Sequence, residues 1–182
     1  MKTRILTFTL LSLLMIFGTN LSAQNRTTGS ESYGGTFNAG LGIGGYYGYY
    51  NYVGRSLPVF SLNYEFDVAR NFTLAPFVTF LSYRNDKYYY RETVMPLGVK
   101  GSYYLDQALS ANSNWDFYVA GSLGFTIVNT RWDSGYDTYP GYRTASPLFL
   151  DLHLGAEYHL SNHVGLFLDL STGVSTVGLS FK

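Results

Sequence analysis

Apolar and polar residues alternate with a period of two along most of this chain from Gly34 onward. The alternation is fullest from Trp115 to Ile127 (WDFYVAGSLGFTI). There Trp115, Phe117, Val119, Leu123, Phe125 and Ile127 share one phase, and Asp116, Tyr118, Ala120, Ser122 and Thr126 the other. Successive side chains of a strand point to opposite faces, so this is a strand with one apolar face and one small or polar face. Tilted by about 45°, a strand of this length crosses the apolar band of an outer membrane, roughly 25 Å tall.

Seven further segments repeat the unit. Strand 1 (34–47) sets Phe37, Ala39, Leu41 and Ile43 against Asn38 and a row of glycines. Strand 2 (57–68) sets Phe60, Leu62, Tyr64 and Phe66 against Ser61, Asn63, Glu65 and Asp67. In strand 3 (72–83) the phase is contested, because Phe72, Leu74, Val78 and Phe80 compete with Phe77 and Leu81. Strand 4 (92–105) points Met95, Leu97, Val99 and Tyr103 outward and Gly98, Lys100, Ser102 and Tyr104 inward. After strand 5 (115–127), strand 6 carries Leu148, Leu150, Leu152 and Leu154 against Phe149, Asp151, His153 and Glu157. Strand 7 has Val164, Leu166, Leu168 and Leu170 in phase, and strand 8 has Val177, Leu179 and Phe181. Pro76 and Pro96 fall inside strands, where each forfeits a ladder donor, and predict bulges.

Connection lengths carry independent information. Tyrosine-rich loops are predicted over 46–55, 84–91 and 129–146, tight turns at Ala69-Arg70-Asn71 and Ser161-Asn162, and a moderate link over 106–114. Long and short connections alternate, as in an even-stranded outer-membrane barrel with both termini at the short-turn, periplasmic end. The expected fold is an all-β, eight-stranded antiparallel up-and-down transmembrane β-barrel.

A soluble lipocalin-like barrel has the same strand count with its apolar phase turned inward. Composition argues against it here. Charged residues are 13% of the chain and aromatics 18%, with 18 Tyr, whereas a soluble surface carries about twice that charge density. The apolar phase is also too bulky for a lumen that eight strands nearly fill. Aromatics at strand ends suggest headgroup belts: Tyr47, Tyr83, Tyr88 to Tyr90 and Trp132 at the loop end, and Phe66, Phe72, Tyr103, Trp115, Tyr158 and Phe181 at the other.

The first 23 residues read as an export signal, with Lys2 and Arg4 before an apolar run from Ile5 to Phe17 and Leu21-Ser22-Ala23 before Gln24. Residues 24–33 read as a flexible lead-in and 34–182 as the barrel. Twelve basic residues balance twelve acidic ones and argue against nucleic acid as a partner. With no cysteine there is no disulfide and no thiol for a metal or a lipid anchor.

The inward phase collects Glu65, Asp67, Asp116, Asp151, Glu157 and Asp169, with Lys100 and His153 as evident basic partners. Such a lumen is either a narrow cation-preferring path or a hydrated polar plug, and small barrels favour the plug. His153 near Asp151 and Ser146 raises an outer-membrane lipid-modifying enzyme, but no serine sits in a nucleophile elbow and no third group is evident. His159 and His163 lack metal-ligand spacing. No catalytic, metal or cofactor site is expected.

Loop positions Arg55, Arg84, Lys87, Arg91, Arg131, Trp132 and Arg143 lie among tyrosines. Arg forks grip anions and Tyr supplies rigid contact area, which suits lipopolysaccharide phosphates, glycans or another envelope protein; the plain alternative is a solvated rim.

The run Glu92 to Leu105, ETVMPLGVKGSYYL, resembles a strand of the Bacteroidetes small outer-membrane β-barrel family, with its apolar-Pro-Leu-Gly core and tyrosine-rich end. The glycine-rich first strand and the terminal Gly178-Leu179-Ser180-Phe181-Lys182 are similar too. The resemblance implies an OmpA- or OmpX-type barrel without a periplasmic domain. The terminal aromatic resembles the signal read by the barrel-assembly machinery, here followed by a lysine. What it implies is a structural or interaction role, with outer-membrane lipid around the barrel.

Overall fold

The computed structural model describes residues 32–44, 58–86, 89–109, 114–135 and 148–182. The export segment, most of the lead-in, and Arg55, Lys87 and Arg143 lie outside the described residues. Eight strands close into one antiparallel barrel: β1 (Thr36–Gly44), β2 (Pro58–Ala69), β3 (Phe72–Asn85), β4 (Tyr90–Tyr104), β5 (Trp115–Trp132), β6 (Leu148–His159), β7 (Val164–Ser171) and β8 (Val174–Phe181). Each pairs with its chain neighbour, and β1 closes the ring against β8 with Phe37 opposite Phe181. Closure leaves no open sheet edge, the condition for carrying strands through hydrocarbon.

The two faces separate cleanly. Leu150 is 70% exposed and Leu41 66%, and Phe60, Phe125, Leu154, Leu168 and Val177 stand on the same outer surface. On the inside Glu65, Lys100, Asp116, Asp169 and Ser180 are buried. Water cannot wet so continuous an apolar exterior, so this is a transmembrane barrel with its apolar phase toward lipid. Gly121, the midpoint of the Trp115–Ile127 stretch, pairs with Leu152 and sets the centre of the apolar belt on β5 and β6.

Several expectations change. The contested phase of β3 resolves with Thr73, Ala75, Thr79 and Leu81 buried in the lumen and Val78 and Phe80 outside. The predicted loop over 84–91 is shorter than expected: β3 runs to Asn85 and β4 starts at Tyr90, leaving only residues 86–89 between them. β5 likewise continues to Trp132, and its 18 residues contrast with 8 each in β7 and β8. The barrel therefore has a tall wall of β3, β4 and β5 at the loop end. The polar link after β4 holds a one-turn helix, α1 (Asp106–Leu109), whose Asp106 carboxylate accepts from the Phe117 N–H at 2.6 Å.

The prolines make no bulge. Pairing between β2 and β3 passes from Asn63 opposite Phe77 to Phe66 opposite Leu74 without a shift across Pro76. Pairing between β3 and β4 similarly resumes at Leu81 opposite Val94 after Val78 opposite Leu97, across Pro96. Each ring faces one neighbour without a donor while the other neighbour stays paired, so a local gap suffices and no extra residue is needed. Among the described pairings a register shift lies between Asp67 and Ala69, beside a two-residue turn in which Asn71 takes φ 57°.

Candidate functional site

The lumen is layered along the barrel axis. At the loop end Val59, Leu81, Tyr90 and Val94 form an apolar plug, with Val128, Trp132, Phe149 and Val174 packed against it. Tyr90 and Trp132, expected in a lipid-facing belt, instead turn inward, their ring centroids 4.9 Å apart. They occupy even positions of β4 and β5, the lumen phase, so extending both strands carried them into the plug. Trp115, Tyr103 and Phe181 do face outward at the other end, where Trp115 packs on Tyr158 at 4.9 Å.

Below the plug, Asp169 of β7 is the hub of a polar layer. Its Oδ2 accepts from Lys100 Nζ at 3.1 Å and from the Tyr118 hydroxyl at 2.9 Å. Its Oδ1 lies 2.7 Å from His153 Nδ1, and His153 Nε2 lies 2.9 Å from Ser122 Oγ. An ionised carboxylate only accepts, so Asp169 holds a proton on Nδ1 and turns Nε2 toward the Ser122 hydroxyl. Lys100 Nζ also stands 5.0 Å over the Tyr118 ring. That ring lies against Gly155, where a Cβ would overlap it, so the glycine makes room for the hub.

Three candidates therefore meet here: Lys100, His153 and Asp169. Asp151, the neighbour that sequence spacing offered to His153, instead accepts from Thr172 at 3.3 Å near the β7–β8 turn. Ser146 lies outside the described residues. Sequence reading missed Ser122 and Tyr118. Their inward phase on β5 was visible, but the register that sets Ser122 opposite Asp151 and beside His153 was not.

Toward the termini, Glu65 accepts from the Tyr104 hydroxyl at 2.8 Å and makes a short contact with Thr73. Tyr33 stacks on Tyr104 at 3.8 Å and seals this level. Asp67 is exposed at the mouth rather than in the network; it accepts from Ser32 Oγ at 2.7 Å and from the Gly34 N–H at 2.9 Å. The last residues of the expected flexible lead-in are thus tied to the barrel.

Asp116, Glu157 and His159 make the last cluster. His159 Nε2 is 2.9 Å from Asp116 and 3.7 Å from Glu157, and Ser180 donates to Glu157 at 2.6 Å. Three potential metal ligands converge here. The ammonium of Lys182 stands 3.9 Å from Asp116 and 3.4 Å from His159, so the chain supplies its own cation. The lysine after the terminal aromatic thereby has a structural role.

A cavity of about 60 Å³ touches Lys100, Ser122, His153 and Asp169. It has room for a few water molecules, far less than the roughly 300 Å³ at which small-molecule pockets begin.

The remaining candidates sit outside. Arg84 bonds Asp86 at 2.9 Å and Asp133 at 2.6 Å. Arg91 and Arg131 are exposed and directly opposite each other on β4 and β5.

No family model matches the chain, and no curated protein matches it. Among solved structures it is similar to Neisserial surface protein A, at 16% identity and a TM-score of 0.49 over 81% of this chain and 94% of that one. It is also similar to a de novo designed transmembrane β-barrel, at 12% identity and a TM-score of 0.47 over 83% of this chain and 98% of that one. The attachment invasion locus protein Ail of Yersinia pestis gives 8% identity and a TM-score of 0.42 over 81% of this chain and 98% of that one.

Proposed function

We propose that this chain is a bacterial outer-membrane barrel of the small Bacteroidetes type, with its termini periplasmic, acting as a structural or interaction protein through its loop-end surface. The observation that carries the reading is the filled lumen. An apolar plug, an ion-paired hub and a tyrosine lid succeed one another along the axis, so the exterior is the surface left for function. Insertion by the barrel-assembly machinery and contact with another envelope protein belong to the same reading.

An epitope placed within residues 136–147 is expected to be reached by antibody on intact cells, and one placed within 24–31 only after the envelope is opened. The same purified barrel in a planar bilayer is expected to give no steady current. Reversed labelling overturns the orientation, and a stable cation-selective conductance revives the narrow channel.

A second reading has a specific observation behind it. The chain Ser122–His153–Asp169 has the hydrogen-bond order of a serine hydrolase relay, with Lys100 beside it as a possible anion stabiliser. Ser122 is buried and its cavity is small, and both oppose a lipid-modifying enzyme. A fluorophosphonate probe is expected to leave Ser122 unlabelled. Stoichiometric labelling lost in Ser122→Ala would replace the interaction reading with an enzymatic one.

A further inference from the structure

Three arginines stand in one row on the outer face of the tall wall. Arg84 of β3 is opposite Arg91 of β4, which is opposite Arg131 of β5. Adjacent strands are about 4.8 Å apart, so the three roots span roughly 10 Å. Tracing the same columns toward the membrane, the next outward row is Ser82, Thr93 and Asn129, and the next is Phe80, Met95 and Ile127 at the edge of the apolar belt. From Ile127 to Arg131 the strand rises about 13 Å, or some 9 Å along the membrane normal when tilted by 45°. Arginine side chains at that height reach back down to the headgroup layer.

Like charges directly opposite each other on a sheet destabilise it. Arg84 is tied to Asp86 and reaches toward β5 to Asp133, two residues beyond Arg131, so both carboxylates already have a cation. Arg91 and Arg131 have no ion-pair partner among the described residues. Two planar forks at a cross-strand spacing, at headgroup depth and beside an apolar wall, match a phosphate carried on a lipid.

We propose that Arg91 and Arg131 form a binding site for the phosphate of a phosphorylated lipid headgroup in the leaflet at the loop end, with Arg84 as the positioning residue that engages the Asp86 and Asp133 carboxylates. This deepens the interaction reading and rests on it for the identity of the leaflet, while the phosphate chemistry follows from the arginine row itself. An anion between the two guanidinium groups turns a repulsive pair into a clamp. Binding therefore stabilises the barrel at the site where it is otherwise strained by charge.

The test uses the full chain in zwitterionic detergent micelles, with lipid A, its enzymatically dephosphorylated form and inorganic phosphate as probes. The wild type is expected to bind phosphorylated lipid A at least tenfold more tightly than the dephosphorylated form, and inorganic phosphate far more weakly than either lipid difference would require. In Arg91→Ala/Arg131→Ala the preference disappears, while Arg91→Lys/Arg131→Lys keeps a reduced preference and Arg70→Ala at the opposite rim keeps all of it. Without lipid, the double alanine variant resists urea at least as well as wild type, an outcome a merely structural role for the arginines would not give. Should that variant not fold, Arg131→Gln alone is read, with an expected loss of several-fold. Equal affinity for the two lipids, an undiminished preference in the variants, or full competition by equimolar inorganic phosphate overturns the site. Micelle binding does not depend on cell-surface labelling, so a failure of the orientation and a failure of the phosphate site give different results.

Discussion

Replacing Asp169 with alanine is expected to cost about 3–5 kcal/mol of unfolding free energy, the range for removing one partner of a buried ion pair. Lys100, the Tyr118 hydroxyl and His153 all direct donors at this carboxylate, so its removal strands an ammonium in the lumen and leaves two donors without an acceptor. Asp169→Asn should lose less, since an amide oxygen can keep one donor while its NH₂ faces the others. Urea unfolding of the barrel in lipid, followed by tryptophan fluorescence and by the gel shift between folded and heated forms, measures it. Adding Lys100→Met to Asp169→Ala should recover part of the loss, because the stranded charge is gone. A single variant as stable as wild type would mean that water, not the hub, solvates Lys100.

The second large effect concerns the opposite face. Leu152→Arg is expected to cost about 2–4 kcal/mol, the value for a cationic side chain at the bilayer midplane. Leu152 is 63% exposed and pairs with Gly121 at the centre of the belt, so a water-facing exterior would tolerate arginine there with little change. Leu152→Met serves as the control for altered shape without charge. Reversible unfolding into thin-bilayer vesicles gives the difference, and an unchanged midpoint for Leu152→Arg would refute the lipid-facing assignment of the leucine rows.

Much of the barrel was legible in the residues. The outward phase of β1, β2, β4, β5, β6, β7 and β8 follows from alternation alone, because side-chain direction along a strand is a local property. The strand ends were less legible. Arg84 to Arg91 is polar and aromatic, as a loop would be, yet both its ends are strand, because the tall wall carries ladder pairing beyond the apolar belt where composition gives no signal. Pro76 and Pro96 misled in the other direction. A proline costs a strand one donor toward one neighbour, and a sequence does not say which neighbour that is.

The candidate site was legible as an inventory and not as an arrangement. Lys100, His153 and Asp169 were identifiable as inward polar groups, but their meeting was not. Lys100 and Asp169 are 69 residues apart, and His153 found Asp169, 16 residues away, instead of Asp151 on its own strand. Side chains two apart on one strand are neighbours along it, while the contacts that bury charge run across strands. Lys182 is the clearest case: it reads as a departure from a terminal aromatic signal, and in the folded barrel it neutralises Asp116 at the lumen mouth.

What the sequence determined unaided is the class of structure: a polarity that reverses at every residue specifies two-faced strands, and too little charge for water specifies lipid outside. The closed ring decided the rest. Register and closure choose which distant residues become cross-strand neighbours, and from that choice come the filled lumen, the Asp169 hub and the row of arginines on the outer face of the tall wall.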